Sequence, residues 1–175
     1  LNTTSISGKA VRLEDASGRY SEFLKSTLNK KIKTKKLKIV LDCGNGATYD
    51  IAPNIFWELG HNVVSINNRP AGKNINYNCG AVNVASLCKK VVEEKADIGF
   101  AFDGDGDRLI VVDDKGNEID GDKIIALFAK YLINNKKTNS KFPVITTVMS
   151  NLGLENFLLK DLGIKLKRSA VGDIN

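Results

Sequence analysis

The sequence predicts an α/β protein: a mixed, mostly parallel sheet flanked by helices, followed by part of a second α/β unit. Two observations predict it. Short runs rich in Leu, Ile and Val alternate along the chain with longer segments of helical periodicity. Polar turns carrying Gly, Asn and Asp separate the two kinds of segment.

The elements follow in order. Tyr20, Phe23, Leu24 and Leu28 stand at helical spacing and predict a helix over 19–29. The run 37–43 (LKIVLDC) predicts a buried strand, broken by Gly44-Asn45-Gly46. A helix is expected over 47–59 despite Pro53, closed by Gly60; Pro53 fits a first turn if the helix proper starts later. Residues 62–66 form a second strand. The polar segment 67–80 holds five asparagines, Pro70 and Gly72 and reads as a long loop belonging to an interface or to a cleft. A helix over 84–95, a strand over 97–102 and a strand over 109–112 follow, the last ended by the turn residues 113–117. A second cycle then starts, with a helix over 121–134, a strand over 143–148, a helix over 152–162 and a strand over 164–167. The domain expectation is therefore residues 1–117 for the first unit and 118–175 for a truncated second one.

Composition narrows the class. The formal net charge is +6, but six lysines lie in the run 30–38, which has no acidic residue. The rest of the chain carries 20 basic and 20 acidic residues. A nucleic-acid-binding protein needs a basic face rich in arginine and aromatics, so no nucleic-acid partner is expected. The run itself reads as a solvated linker, with a phosphate-attracting patch and a nucleic-acid contact as rival roles. No apolar run approaches the length of a membrane span and the first residues lack the basic-then-apolar pattern of a signal peptide, so no membrane partner is expected. Cys43, Cys79 and Cys88 are an odd set without a CxxC pair, which argues against a disulfide framework or zinc site and suits the cytoplasm. The chain begins at Leu1 and stops just after a strand-like run, so it reads as a piece of a longer protein.

The chemistry concentrates in Asp103-Gly104-Asp105-Gly106-Asp107-Arg108. Carboxylates this close repel one another, and a divalent cation removes that repulsion. Oxygen donors select a hard ion, Mg²⁺ or Ca²⁺. The alternating glycines let a curling backbone aim all three carboxylates at one ion. Asp103 also follows a strand directly, and open α/β sheets bind ligands beyond the carboxyl ends of their strands. A solvated acidic turn is the bland alternative. An EF-hand loop fails because Arg108 stands where glycine is required and Asp114 where glutamate is.

This loop resembles the metal-binding loop of the α-D-phosphohexomutases. The blocks DCGNGAT (42–48), NIN (74–76) with Cys79-Gly80, FDGDGDRLIVVDDKGNEIDGD (102–122) and SNLGLE (150–155), with Gly18-Arg19-Tyr20, resemble the glucosamine branch of that superfamily over essentially the whole chain. The resemblance implies domain 2 and the start of domain 3 of a four-domain enzyme. It implies interconversion of glucosamine 6-phosphate and glucosamine 1-phosphate, through a phosphoserine outside this chain and a 1,6-bisphosphate, on the route to UDP-N-acetylglucosamine. Asp103, Asp105 and Asp107 would hold Mg²⁺. Arg108 would bind the substrate or bridging phosphate, with a structural ion pair as its rival role. The expected partners are a phosphosugar and the other domains of the same polypeptide. A phosphomannomutase/phosphoglucomutase and a non-catalytic divalent-metal module are the alternatives. After Val171-Gly172-Asp173 the superfamily has a basic residue where this chain has Ile174-Asn175.

Several residues carry plainer expectations. Gly44-Asn45-Gly46 reads as a tight structural turn, His61 as a surface residue, Cys43 and Trp57 as core, and Ser150 as distinct from the phosphoserine.

Overall fold

The computed structural model describes residues 11–28, 35–135, 137–138 and 141–172. The elements are α1 (Ala16–Ser26), β1 (Lys38–Asp42), α2 (Ile51–Glu58), β2 (Asn62–Ile66), α3 (Ala85–Glu94), β3 (Ile98–Phe102), β4 (Leu109–Asp113), β5 (Glu118–Ile119), α4 (Gly121–Asn134), β6 (Val144–Thr147), α5 (Leu152–Leu162) and β7 (Leu166–Ser169). A 3-10 turn occupies Gly80–Val82. The expectation of α/β architecture with a mixed, mostly parallel sheet holds.

Five strands form one sheet in the order β2-β1-β3-β4-β5, and β6 and β7 form a second. β1 pairs parallel with both β2 and β3, while β4 and β5 run antiparallel. The reversal at β4 follows from connection length. Only residues 103–108 join β3 to β4, and a parallel crossover needs a dozen or more residues. β5, which the sequence pattern did not reveal, is two residues long and pairs Val111 with Ile119.

The alternation of side chains along β1 builds both layers of the core. Ile39, Leu41 and Cys43 face α2 and cluster with Ala52, Phe56 and Phe100. Val40 faces the opposite way and clusters with Leu87 and Val91 of α3 and with Ala101 and Val112. The sheet is thus covered on both faces, which is why β1 is apolar over most of its length. In the second unit Leu154, Leu158 and Ile164 pack with Ala129 of α4.

Helix ends follow local chemistry. The Asn151 side chain accepts the Leu154 N–H and starts α5, and Gly163, with φ 67°, ends it. Asp120 caps α4 through the Asp122 N–H. α2 begins four residues later than its pattern predicts: residues 47–50 form a turn whose Ala47 N–H is given to the Gly104 carbonyl. Pro53 consequently lies in the first turn.

Two residue-level expectations are corrected. Trp57 is 71% exposed, not core. α2 turns Ala52 and Phe56 toward the sheet, and the next residue along the helix points about 100° away. His61 is buried at 7% exposure, not on the surface. Its Nδ1 accepts the Leu37 N–H at 3.2 Å, and its ring tilts against Phe56. Most of the lysine run, residues 30–34, and the chain end at 173–175 lie outside the described residues. Lys35 and Lys36 are exposed, and Lys38 opens β1.

Candidate metal centre

The parallel pairing of β1 with β2 and β3 brings three loops to one edge of the sheet, where all three strands end. The loops are residues 43–50, 67–80 and 103–108.

The first loop is tied to the end of β1. Asp42 is fully buried, and its carboxylate accepts from the Gly44 N–H at 3.0 Å, Asn67 Nδ2 at 3.0 Å and Ser86 Oγ at 3.3 Å. These donors meet the needs of a buried carboxylate and draw loop 67–80 and α3 onto the strand end. Asn45 extends the tie. Its N–H donates to the Asn67 carbonyl, its Oδ1 accepts the Arg69 N–H at 3.1 Å, and its Nδ2 reaches the Asn74 carbonyl at 3.4 Å. Gly44-Asn45-Gly46 is therefore a structural turn, as its sequence suggests. Cys43 is fully buried, and burial pushes its thiol up to about 12. A thiol held neutral in this way is a packing group, not a nucleophile.

The acidic loop leans on this turn. Ala47 N–H donates to the Gly104 carbonyl at 2.8 Å. A methyl group on Gly46 would stand 2.3 Å from the same carbonyl oxygen, so only glycine permits the approach. Gly106, with φ 77°, donates its N–H to the Asp103 carbonyl and closes the turn.

Asp103 is 2% exposed, whereas Asp105 and Asp107 are exposed. Each of the three offers a carboxylate oxygen within 4.8 Å of the other two. That spacing suits ligands around a hard cation, whose metal–oxygen distances of about 2.0–2.6 Å put opposing ligands about 4–5 Å apart. Arg108 braces the cluster. Its backbone N–H donates to Asp103 Oδ1 at 3.0 Å and its Nε to Oδ2 at 2.7 Å, while Nε lies 3.7 Å from Asp107 Oδ1. Burial resists ionisation of Asp103, but the two Arg108 donors and a hydrogen bond from Asp107 outweigh it and hold the carboxyl at about 2. Asp107 is pushed up, first by the charge of Asp105 and then by Asp103. The donor set fits a hard divalent ion: oxygen atoms only, one carboxylate held ionised, and mutual repulsion that a cation relieves. Each Asp103 oxygen still has a lone pair beyond its bond to Arg108.

The four residues singled out in the sequence thus stand together. Loop 67–80 was recognised there only as a polar loop. Its Cys79 and Gly80 are buried, and its chain lies against both other loops. Asp42 and Asn76 were missed as contributors. Asp42 gave one signal, an acidic residue ending an apolar strand two positions before a glycine. Ser150 lies elsewhere, on an open recess of about 510 Å³ with Asp120, Asp122, Thr146 and Thr147.

Comparison with known proteins decides the family. The model of phosphoglucomutase/phosphomannomutase α/β/α domain II matches residues 18–116, and that of domain III matches residues 120–175. The chain belongs to the phosphoglucomutase/phosphomannomutase family. It is 54% identical over 95% of its length to a protein of Vibrio vulnificus named phosphoglucosamine mutase, covering 36% of that relative. It is 52% identical over 95% of its length to the Histophilus somni protein of the same name, covering 37% of it. The chain therefore spans little more than a third of the curated relatives it matches. Among solved structures, a phosphoglucomutase/phosphomannomutase family protein from Burkholderia thailandensis superposes with a TM-score of 0.75 at 28% identity, covering 89% of this chain and 33% of that one. Among the described residues, no helix is long and apolar enough to cross a membrane.

Proposed function

We propose that this chain supplies the metal-holding part of a phosphoglucosamine mutase, acting within a longer polypeptide to interconvert glucosamine 6-phosphate and glucosamine 1-phosphate. The observation that carries the reading is the convergence of Asp103, Asp105 and Asp107 at the strand ends, in a chain about half identical to proteins of that name. In this reading the first sheet belongs to the second of four domains, residues 1–117, and residues 118–175 begin the third. A phosphoserine elsewhere in the polypeptide and a 1,6-bisphosphate carry the phosphoryl group. The compartment is the cytoplasm, in keeping with three free cysteines.

Asp103, Asp105 and Asp107 hold Mg²⁺. The bound ion supplies Lewis-acid polarisation and charge neutralisation at phosphoryl oxygens. The residues of this chain supply the rest. Arg108 keeps Asp103 ionised and fixed in place through its paired hydrogen bonds. Its side chain is nevertheless 62% exposed, so one residue serves both the ion pair and a phosphate oxygen. Asp105 and Asp107 face solvent and leave the outer side of the site open to a phosphate. Phosphoryl transfer asks a protein chiefly for such positioning and charge balance.

Mn²⁺ titration followed by electron paramagnetic resonance tests the metal site. The chain is expected to bind Mn²⁺, and Asp105→Asn to bind it at least about tenfold more weakly. Equal affinity in the two proteins removes the loop as the site.

A further inference from the structure

We infer that Asn76 is a positioning residue of the acidic loop: its side-chain amide sets where Gly104 lies, and through Gly104 the geometry of Asp103 and Asp105. The inference rests on the metal reading above and extends it to a residue that carries no charge and lies 27 positions before Asp103.

Glycines from three different segments surround the Asn76 amide. A methyl group on Gly104 would lie 3.1 Å from Asn76 Nδ2 and 2.5 Å from Ile75 Cγ2. One on Gly44 would lie 3.1 Å from Asn76 Oδ1, and one on Gly80 would lie 3.3 Å from the same atom. The amide therefore occupies space that side chains at those three positions would otherwise fill. Gly44 and Gly80 also crowd the Phe102 carbonyl oxygen, to which methyl groups on them would come within 2.8 and 2.5 Å. Phe102 is the last residue of β3, so the amide stands where the strand ends and the acidic loop begins.

Gly104 is gripped from its other side as well. Gly46 and Ala47 press on its carbonyl through the 2.8 Å bond from the Ala47 N–H. With Ile75 and Asn76 opposite, the peptide between Asp103 and Asp105 has little freedom. Three carboxylates that repel one another need such a grip if they are to converge before a cation arrives.

Backbone preference alone does not account for the residue. Asn76 has φ 58°, which asparagine tolerates, and its N–H donates to the Gly44 carbonyl at 2.9 Å. Its Oδ1, however, is buried without a hydrogen-bond partner among the described residues. An unmet acceptor opposes folding, so the amide contributes its shape at this junction at some cost in stability.

The test separates shape from backbone. Asn76→Gly permits the same φ and removes the amide. In the metal-free chain, hydrogen exchange at the Ala47 amide is expected to quicken about tenfold relative to the strand amides of Val40 and Leu41. Mn²⁺ affinity is expected to fall about tenfold, as when a group that orients metal ligands is lost. Leu158→Ala, in the core of the second unit, is the stability control and should change neither the exchange ratio nor the Mn²⁺ affinity. An unchanged Ala47 ratio in Asn76→Gly overturns the inference whatever the metal does, and so does a loosened Ala47 with undiminished Mn²⁺ affinity. Failure of the unsubstituted chain to bind Mn²⁺ overturns the metal reading, and this inference with it. That failure is told apart because it appears before any substitution.

Discussion

Gly46 shows how little room the loops leave one another. A methyl group there would stand 2.3 Å from the Gly104 carbonyl oxygen, 2.6 Å from its Cα and 2.7 Å from its carbonyl carbon. All three are backbone atoms, which cannot swing aside as a side chain can. Gly46→Ala should therefore cost about 1–3 kcal/mol of stability, the usual range for forcing extra atoms into a packed site. Urea unfolding measures that loss, and Mn²⁺ titration of the folded variant should show weaker binding, because relief requires Gly104 to move. At this scale the sequence is an uneven guide. The four residues of the acidic loop announce themselves by type and spacing. Trp57 and His61 do not, because burial at one position depends on the phase of a short helix and on the path of the chain beyond its end. A tryptophan facing away from the sheet and an imidazole meeting the Leu37 N–H are decided by packing.

Among the elements, β1 and α3 are joined by charge as well as by apolar contact. Lys38 Nζ lies 2.7 Å from both the Glu94 carbonyl oxygen and Glu94 Oε2, and Lys90 Nζ lies 2.9 Å from Oε1. Hydrogen bonds to Lys38 first and Lys90 second hold the Glu94 carboxyl at about 2, below its ordinary 4.5. A carboxyl depressed on folding stabilises the folded state above its unfolded value, and the contribution fades as pH falls toward the folded one. Glu94→Gln should accordingly unfold at lower urea than the unsubstituted chain, by a constant margin above about pH 4.5. The margin should shrink as pH falls from 4.5 toward 2. A margin independent of pH would mean that the ion pairs contribute nothing. The elements themselves are legible in the sequence where periodicity is strong, as in α4 and α5. β5 is not, since two residues carry no period. The late start of α2 is not either, since the turn before it packs against a loop distant in sequence.

For the molecule as a whole, the two sheets have separate apolar clusters, one pair around β1 and one around Leu158. The relatives are about two and a half times as long as this chain. The proposed reaction needs a phosphoserine, and the phosphohexomutase resemblance places that residue outside these 175 positions. The chain alone is therefore expected to bind metal and to show no conversion of glucosamine 6-phosphate in a coupled assay. Turnover by the purified chain would defeat that division of labour.

The order of the longer strands and helices, the break at Gly44-Asn45-Gly46 and the position of the acidic loop just after a strand all follow from local pattern. So does the chemistry of that loop, since three carboxylates two residues apart repel one another in any fold. The net charge, too, belongs to one lysine run beside a neutral body. Packing decides the remainder. The parallel register of β1 with β2 and β3 carries loop 67–80 to the strand ends, and Asn76 thereby meets Gly44, Gly80 and Gly104. No periodicity encodes that meeting. It depends on backbone groups far apart in sequence coming close enough that only glycine and one amide fit between them.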